Sequence, residues 1–289
     1  MSRQVEKLYR AGVPTADSVN EFIQNNSFPL VEAGRVTFVY RGSADEVILR
    51  RWISGLNTAQ PLQPLDGTDL WALVMELPAK SRFEYKFEVV RDGQRDLVVD
   101  PLNPVLAHDP FGANSVCQGF GYKRPRWTLP DPDARSGSLT SIQVDAPSFD
   151  ERREVNVYLP ARFKRSRSYP LLVVHDGLDY LRYADFKTVL DNLIHRLEIP
   201  AMVVALTQSP DRLVEYTGDP RHARFIANNL VPAMTENFPL LDDRSARGLM
   251  GASLGGVASL HTASMFPDLF GQLLLQSGSF AFSDLGHHQ

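Results

Sequence analysis

The sequence predicts two folded parts in series, an all-β sandwich followed by a unit built on a mostly parallel sheet with helices. Three observations carry this. Short β-branched and aromatic runs separated by turn residues fill Val36 to Val99. A proline-rich stretch ending in Ser-Gly-Ser follows from Lys123 to Ser138. Beyond it, continuous apolar runs alternate with helical stretches.

The elements follow in order. Residues 1–30 read as a short helical lead-in that ends near Pro29. In residues 31–122, Val36–Tyr40, Val47–Trp52, Leu70–Leu77 and Phe83–Val89 are strand-like, and the last alternates apolar and polar strictly, as a half-buried strand does. Asp66-Gly67 and Asp92-Gly93 supply turns. Residues 123–138 read as a linker, because three prolines disfavour any regular element. In residues 139–289, Leu139–Val144 and Glu154–Leu159 are strands. Tyr169–His175 and Ala201–Leu206 are apolar throughout, which suits strands buried on both faces. Helices are expected over about 186–197, 222–238 and 254–265, with a last strand over Phe270–Gln276.

Composition narrows the function. The chain has 289 residues, 30 basic and 34 acidic, and a net charge of -4. Neither a nucleic-acid nor an anionic-membrane partner is expected, since both favour a basic face. Cys117 is the one cysteine, so no disulfide closes within the chain. Met1–Thr15 holds no apolar signal region, and no apolar run approaches the roughly 18 residues of a membrane helix. A soluble, cytoplasmic protein is expected.

Gly251-Ala252-Ser253-Leu254-Gly255 matches Gly-x-Ser-x-Gly between a strand and a helix. That spacing builds a sharp turn, which lifts the serine hydroxyl above the sheet and points helix amides at a reacting carbonyl. Ser253 is therefore the expected nucleophile, against the plainer reading of a helix-capping serine. An oxyanion hole needs two amide donors. The first is the amide of Leu254. The second comes from the turn His175-Asp176-Gly177-Leu178, through Gly177 or Leu178, with Gly177 favoured.

Several segments resemble a known family. They are Ser209–Tyr216, Leu230–Pro232, Gly248–Gly256, Phe266–Gly271 and Gln276–Phe280. Together they look like the esterase family that includes the enterochelin (ferric enterobactin) esterases and esterase-D-like hydrolases. Asp69–Trp71, Tyr85–Phe87 and Asp100–Pro104 resemble the early-set immunoglobulin-like domain that precedes the catalytic domain in enterochelin esterases. The resemblance implies an α/β-hydrolase fold, ester hydrolysis by a Ser-His-acid triad, no cofactor and no catalytic metal. A small-molecule ester, such as a siderophore ester, would be the substrate.

One departure stands out. The triad order on this fold is serine, acid, histidine. After Ser253 the sequence holds one helix, one strand and a short tail, so the sheet is expected to be truncated after strand six, with the triad acid and histidine absent. Asp284 with His287 or His288 would need an improbably tight turn to replace them, and the His-His pair is weak as a metal site. His261 is expected to face away on the helix behind Ser253. Arg212 and Glu215 are either substrate-binding rim residues or a structural ion pair, and Trp52 and Trp71 are core anchors before they are stacking platforms. The expected function is a serine-dependent carboxylic ester hydrolase. The alternative is a non-catalytic interaction protein, or a carbohydrate-binding module that keeps the fold.

Overall fold

A computed structural model of the chain describes residues 3–10, 12–51 and 59–280. It comprises two compact units, Met1–Arg124 and Pro125–Gln289.

The first unit opens with α1 (Arg3–Leu8) and α2 (Ala16–Gln24). Thr15 and Ser18 start α2 with a reciprocal capping box, which satisfies two amides that the first turn leaves without partners. The apolar stripe Val19 and Phe22 packs with Val5, Phe28, Val39 and Leu70, so the lead-in helices close one side of the sandwich. Ten strands follow: β1 (Leu30–Glu32), β2 (Arg35–Arg41), β3 (Glu46–Arg51), β4 (Ala59–Pro61), β5 (Gln63–Pro64), β6 (Leu70–Glu76), β7 (Arg82–Arg91), β8 (Gln94–Val98), β9 (Leu106–Asp109) and β10 (Gly112–Gln118). One sheet runs β1-β2-β6-β5; the other runs β4-β3-β7-β10-β9, with β8 also on β7. Phe83, Tyr85, Phe87 and Val89 of β7 point inward in alternation and meet Phe38 and Tyr40 of β2. Trp71 packs against this core and donates to the Gly42 carbonyl at 3.1 Å, which places it as an anchor. Trp52 lies outside the described residues.

Beneath the sandwich, Tyr85 donates to Asp100 Oδ2 at 2.6 Å, and Asn103 Nδ2 donates to the Tyr85 hydroxyl and to the Val116 carbonyl. These are the polar members of the Asp100–Pro104 segment, so that segment closes the unit by buried hydrogen bonds.

The second unit contains β11 (Ser138–Ala146), β12 (Glu151–Leu159), β13 (Leu171–Val174), β14 (Val203–Leu206), β15 (Arg247–Ala252) and β16 (Gln272–Gln276). Their order is β11-β12-β14-β13-β15-β16. Pairing is antiparallel from β11 to β14 and parallel from β14 to β16. The helices are α3 (Gly177–Tyr183), α4 (Phe186–His195), α5 (Arg212–Glu215), α6 (Pro220–Arg224), α7 (Val231–Asn237) and α8 (Leu254–Met265). Val173, Ala205 and Leu249 face one core with Ile226 and Met234; Val174, Val204 and Met250 face the other with Phe186 and Leu190. Apolar side chains on both faces explain the unbroken apolar runs of β13 and β14.

Two local expectations are revised. The helix expected over 222–238 is interrupted by a π-helical turn at Phe225–Leu230. Pro232 has no N–H to give the carbonyl four residues back, so the ladder widens just before it. Residues 125–137, expected as part of a linker, are fastened to α4. Asn192 Nδ2 donates to the carbonyls of Trp127 and Leu129, and Asp191 accepts from the Gly137 amide and the Ser136 hydroxyl.

Candidate active site

The candidate site lies where β13, β15 and β16 end. The register puts Val174 beside Met250, and Gly251 and Ala252 beside Leu275 and Gln276, so the turns that follow these strands are neighbours at one edge of the sheet. Ser253 occupies the turn between β15 and α8 with φ 54 and ψ -120. A non-glycine residue there is strained by about 1–3 kcal/mol, and such strain persists only where the surroundings impose it. They do so here. The Ser253 amide donates to the Gln276 carbonyl at 3.0 Å, and its carbonyl accepts from the amides of Ser279, Gly256 and Val257. A Cβ on Gly251 would stand 2.3 Å from the Gly255 carbonyl group, so the tight approach requires glycine there. A Cβ on Gly255 would lie 3.3 Å from Asp176 Oδ2, and its absence lets α8 start directly against the turn after β13. The Ser253 hydroxyl is on an exposed residue and lies 3.0 Å from the Ser279 hydroxyl.

The amide of Leu254 sits at the first position of α8, where no intrahelical acceptor exists. The expectation for Gly177 is corrected. Its amide donates to the Thr207 carbonyl at 2.7 Å, which commits it to holding the turn against the end of β14. The amide of Leu178, the other candidate in that turn, has no acceptor among the described residues.

Arg212 and Glu215 are both ion-paired, but with different partners. Glu215 is buried, and its carboxylate is gripped by Arg153 at 2.8 and 2.9 Å and by His222 Nδ1 at 2.8 Å. Burial alone would raise its pKa, but the His222 and Arg153 hydrogen bonds outweigh it and hold the carboxyl down at about 2. Its substrate-binding role is therefore withdrawn: both carboxylate oxygens serve the framework. Arg212 pairs instead with Asp176 in the turn after β13. Burial raises the Asp176 pKa, while Arg212 opposes the rise.

Behind the turn, His175 is fully buried, with Nδ1 2.9 Å from Ser259 Oγ, and Ser259 in turn donates to the Gly255 carbonyl at 2.8 Å. Burial, reinforced by neighbouring His222, depresses the His175 pKa to about 3, so the ring is neutral. Among the described residues no histidine is hydrogen-bonded to Ser253. His261 lies beside Gly218. Asp284, His287 and His288 fall outside the described residues. Sequence reasoning missed Asp176, His175, Ser259 and Ser279. The first two stood inside the turn already singled out, and Ser279 inside Gln276–Phe280.

The Gly-x-Ser-x-Gly serine thus stands at positive φ in the turn directly after β15, the fifth strand in the order β11-β12-β14-β13-β15-β16. Residues 146–284 match the family described as "Putative esterase". The chain is 26% identical over 302 residues to the iron(III) enterobactin esterase of Escherichia coli, covering 89% of this chain and 73% of that protein. It is 27% identical over 150 residues to the uncharacterized protein YjcH of Bacillus subtilis, covering 50% of this chain and 62% of the relative. Among solved structures, the enterobactin esterase of Shigella flexneri in the presence of enterobactin superposes with a TM-score of 0.73 at 22% identity, covering 91% of this chain and 77% of that one. These likenesses support the esterase family and an ester hydrolase. At that identity the structural likeness speaks for the fold.

Proposed function

We propose that this chain is a serine-dependent carboxylic ester hydrolase acting on a small-molecule ester of the siderophore kind. The observation that carries the reading is Ser253 itself, exposed and held at φ 54 between β15 and α8. In the reaction, Ser253 Oγ bonds to the ester carbonyl carbon as its proton leaves to a base. The carbonyl π pair moves to oxygen, where the amides of Leu254 and Leu178 receive the negative charge. Collapse expels the alcohol, and water then releases the acid. The base and acid of the triad are not assigned to any described residue. Arg212 acts on the site through Asp176 and the turn that carries Leu178. The first unit is read as an early-set immunoglobulin-like sandwich.

The siderophore class is supported by the likeness to the enterobactin esterases of Escherichia coli and Shigella flexneri. The non-catalytic alternative is not favoured, since a serine that only capped α8 would need no left-handed strain, and its side chain makes no cap hydrogen bond. The test is a fluorophosphonate probe with peptide mapping. Covalent label on Ser253, lost in Ser253→Ala, is expected. A correctly folded parent that carries no label on Ser253 overturns the reading.

A further inference from the structure

We propose that Ser279 is a second catalytic hydroxyl, donating a hydrogen bond to Ser253 Oγ as that oxygen becomes the attacking nucleophile. The proposal rests on the nucleophile reading of Ser253 and adds a residue to it.

The placement is specific. β16 ends at Gln276, whose carbonyl accepts the Ser253 amide. The chain then reverses at Ser277, with φ 45, and the Ser279 amide returns to donate to the Ser253 carbonyl at 3.2 Å. Both backbone groups of Ser253 are thus bonded to the 276–279 segment. That segment is also tied to α3, because the Tyr180 hydroxyl donates to Gln276 Oε1. With the backbones locked together, the hydroxyls of Ser253 and Ser279 meet at 3.0 Å. Each is the other's only side-chain partner among the described residues.

The chemistry then fixes the direction. At rest, either hydroxyl can donate. Once Ser253 gives its proton to the base, only Ser279 O–H can maintain the contact. A hydrogen bond from a neutral hydroxyl to an oxyanion is about twice as strong as one between neutral groups, so the interaction grows as charge develops. An interaction stronger in the transition state than in the ground state accelerates the step. Ser279 keeps its proton throughout. The Ser253 O–H bond breaks, the Oγ–carbon bond forms, and the carbonyl pair moves to oxygen. In the second half-reaction the same donor faces the ester oxygen of acylated Ser253 and assists its departure.

The experiment measures the second-order rate of fluorophosphonate labelling, in which Ser253 Oγ bonds to phosphorus and fluoride leaves, so nucleophilicity is read without turnover. The parent is compared with Ser279→Ala, and then Ser279→Thr with Ser279→Val, a pair of nearly equal shape that differs in the hydroxyl. Peptide mapping locates the label, and thermal melting checks the fold. Ser279→Ala is expected to label at least tenfold more slowly, and Ser279→Thr at least tenfold faster than Ser279→Val, with melting temperatures matched within each pair. If Ser279→Ala misfolds, the Thr and Val pair decides alone. Labelling of Ser279→Ala within threefold of the parent, or faster than it, overturns this proposal while leaving Ser253 as nucleophile. A parent unlabelled at Ser253 overturns both.

Discussion

Asp176 and Arg212 form a two-point ion pair, with Nη2 2.9 Å from Oδ2 and Nε 3.3 Å from Oδ1, directly behind the turn that carries the Leu178 amide. Asp176 is left-handed at φ 56, and its own amide donates to the Tyr216 hydroxyl at 3.3 Å. Both ends of α5 therefore hold one residue, whose carboxylate also borders the start of α8.

Removing the arginine leaves a nearly buried carboxylate without its cation. Arg212→Ala is expected to cost about 1–3 kcal/mol near pH 7, the range for orphaning a buried polar group. The cost should shrink toward pH 4. Asp176 has a raised folded pKa, so it takes up a proton early as pH falls, and a neutral carboxyl no longer needs the guanidinium. Melting temperatures of parent and variant at the two pH values check this. An equal difference at both would count against a charged pair.

The Arg153–Glu215–His222 group has the opposite sign. Glu215 is held at about 2 against 4.5 for an ordinary glutamate. Its contribution to stability is present above about pH 4.5 and is lost as pH falls toward 2. Glu215→Gln should be destabilised by about 1–3 kcal/mol near neutrality, because buried Arg153 loses one of its two carboxylate partners and keeps only the more exposed Glu151. The variant should also lack the parent's loss of stability between those pH values. Chemical denaturation across the range measures both effects.

Asp100 in the first unit gives a third pH signature. Burial raises its pKa from 3.8 to about 6, so the folded state holds a proton that the unfolded state releases. Stability of that unit should therefore fall as pH rises from about 4 to 6. Asp100→Asn carries no charge, so it should flatten this slope, but its one carbonyl oxygen can serve only one of the Tyr85 hydroxyl and the Leu102 amide, so no net gain in stability at pH 7 is expected. A slope unchanged in the variant would rule out Asp100 as its source.

Much of this was legible in the sequence, and the gaps share one cause. The elbow at Ser253 is a local structure, set by glycines within a few residues, so five letters and their flanks were enough. The partners of Glu215 and Arg212 were not local. Arg153 stands on β12, far along the chain from α5, and only the fold decides that Glu215 turns inward to it while Arg212 turns to Asp176. The same holds for Gly177, whose amide is claimed by Thr207 at the end of a neighbouring strand. Pro232 was a readable signal for the interrupted helix. The polar residues Asp191 and Asn192 gave no sign of the segment they bind, because their partners are mostly backbone groups before β11.

That fastening has its own consequence. A stretch rich in proline, serine and glycine is a usual first site of proteolysis when it is free. Here Asn192 holds two carbonyls at 2.9 and 2.7 Å. Limited proteolysis of the parent should spare residues 125–137. Asn192→Ala should open them, with cleavage there at least several times faster. Equal rates would show that these hydrogen bonds do not restrain the segment.

The outer strand β16 sets the last prediction. Among the described residues it pairs only with β15. Leu273 is 41% exposed and Leu274 51% exposed, on opposite faces of the strand, while Leu275 is half-buried. A strand whose outer side has no partner among the described residues, with leucines on both faces, would, where that side stays open, offer backbone donors and acceptors together with apolar area to another chain. Native sheets usually blunt such an edge with charge, and Gln272 and Gln276 supply none. If that edge is open, a polypeptide of residues 1–289 is expected to self-associate at micromolar concentrations, through β16 rather than through the sandwich. Leu274→Lys places a charge on the exposed face at little folding cost, since half of the side chain is already in water. Size-exclusion chromatography with light scattering should show association in the parent and a marked shift toward monomer in Leu274→Lys, with melting temperatures within a few degrees of each other. A parent that is monomeric over that range would show that the edge is protected. Association undiminished in the lysine variant would place the contact elsewhere.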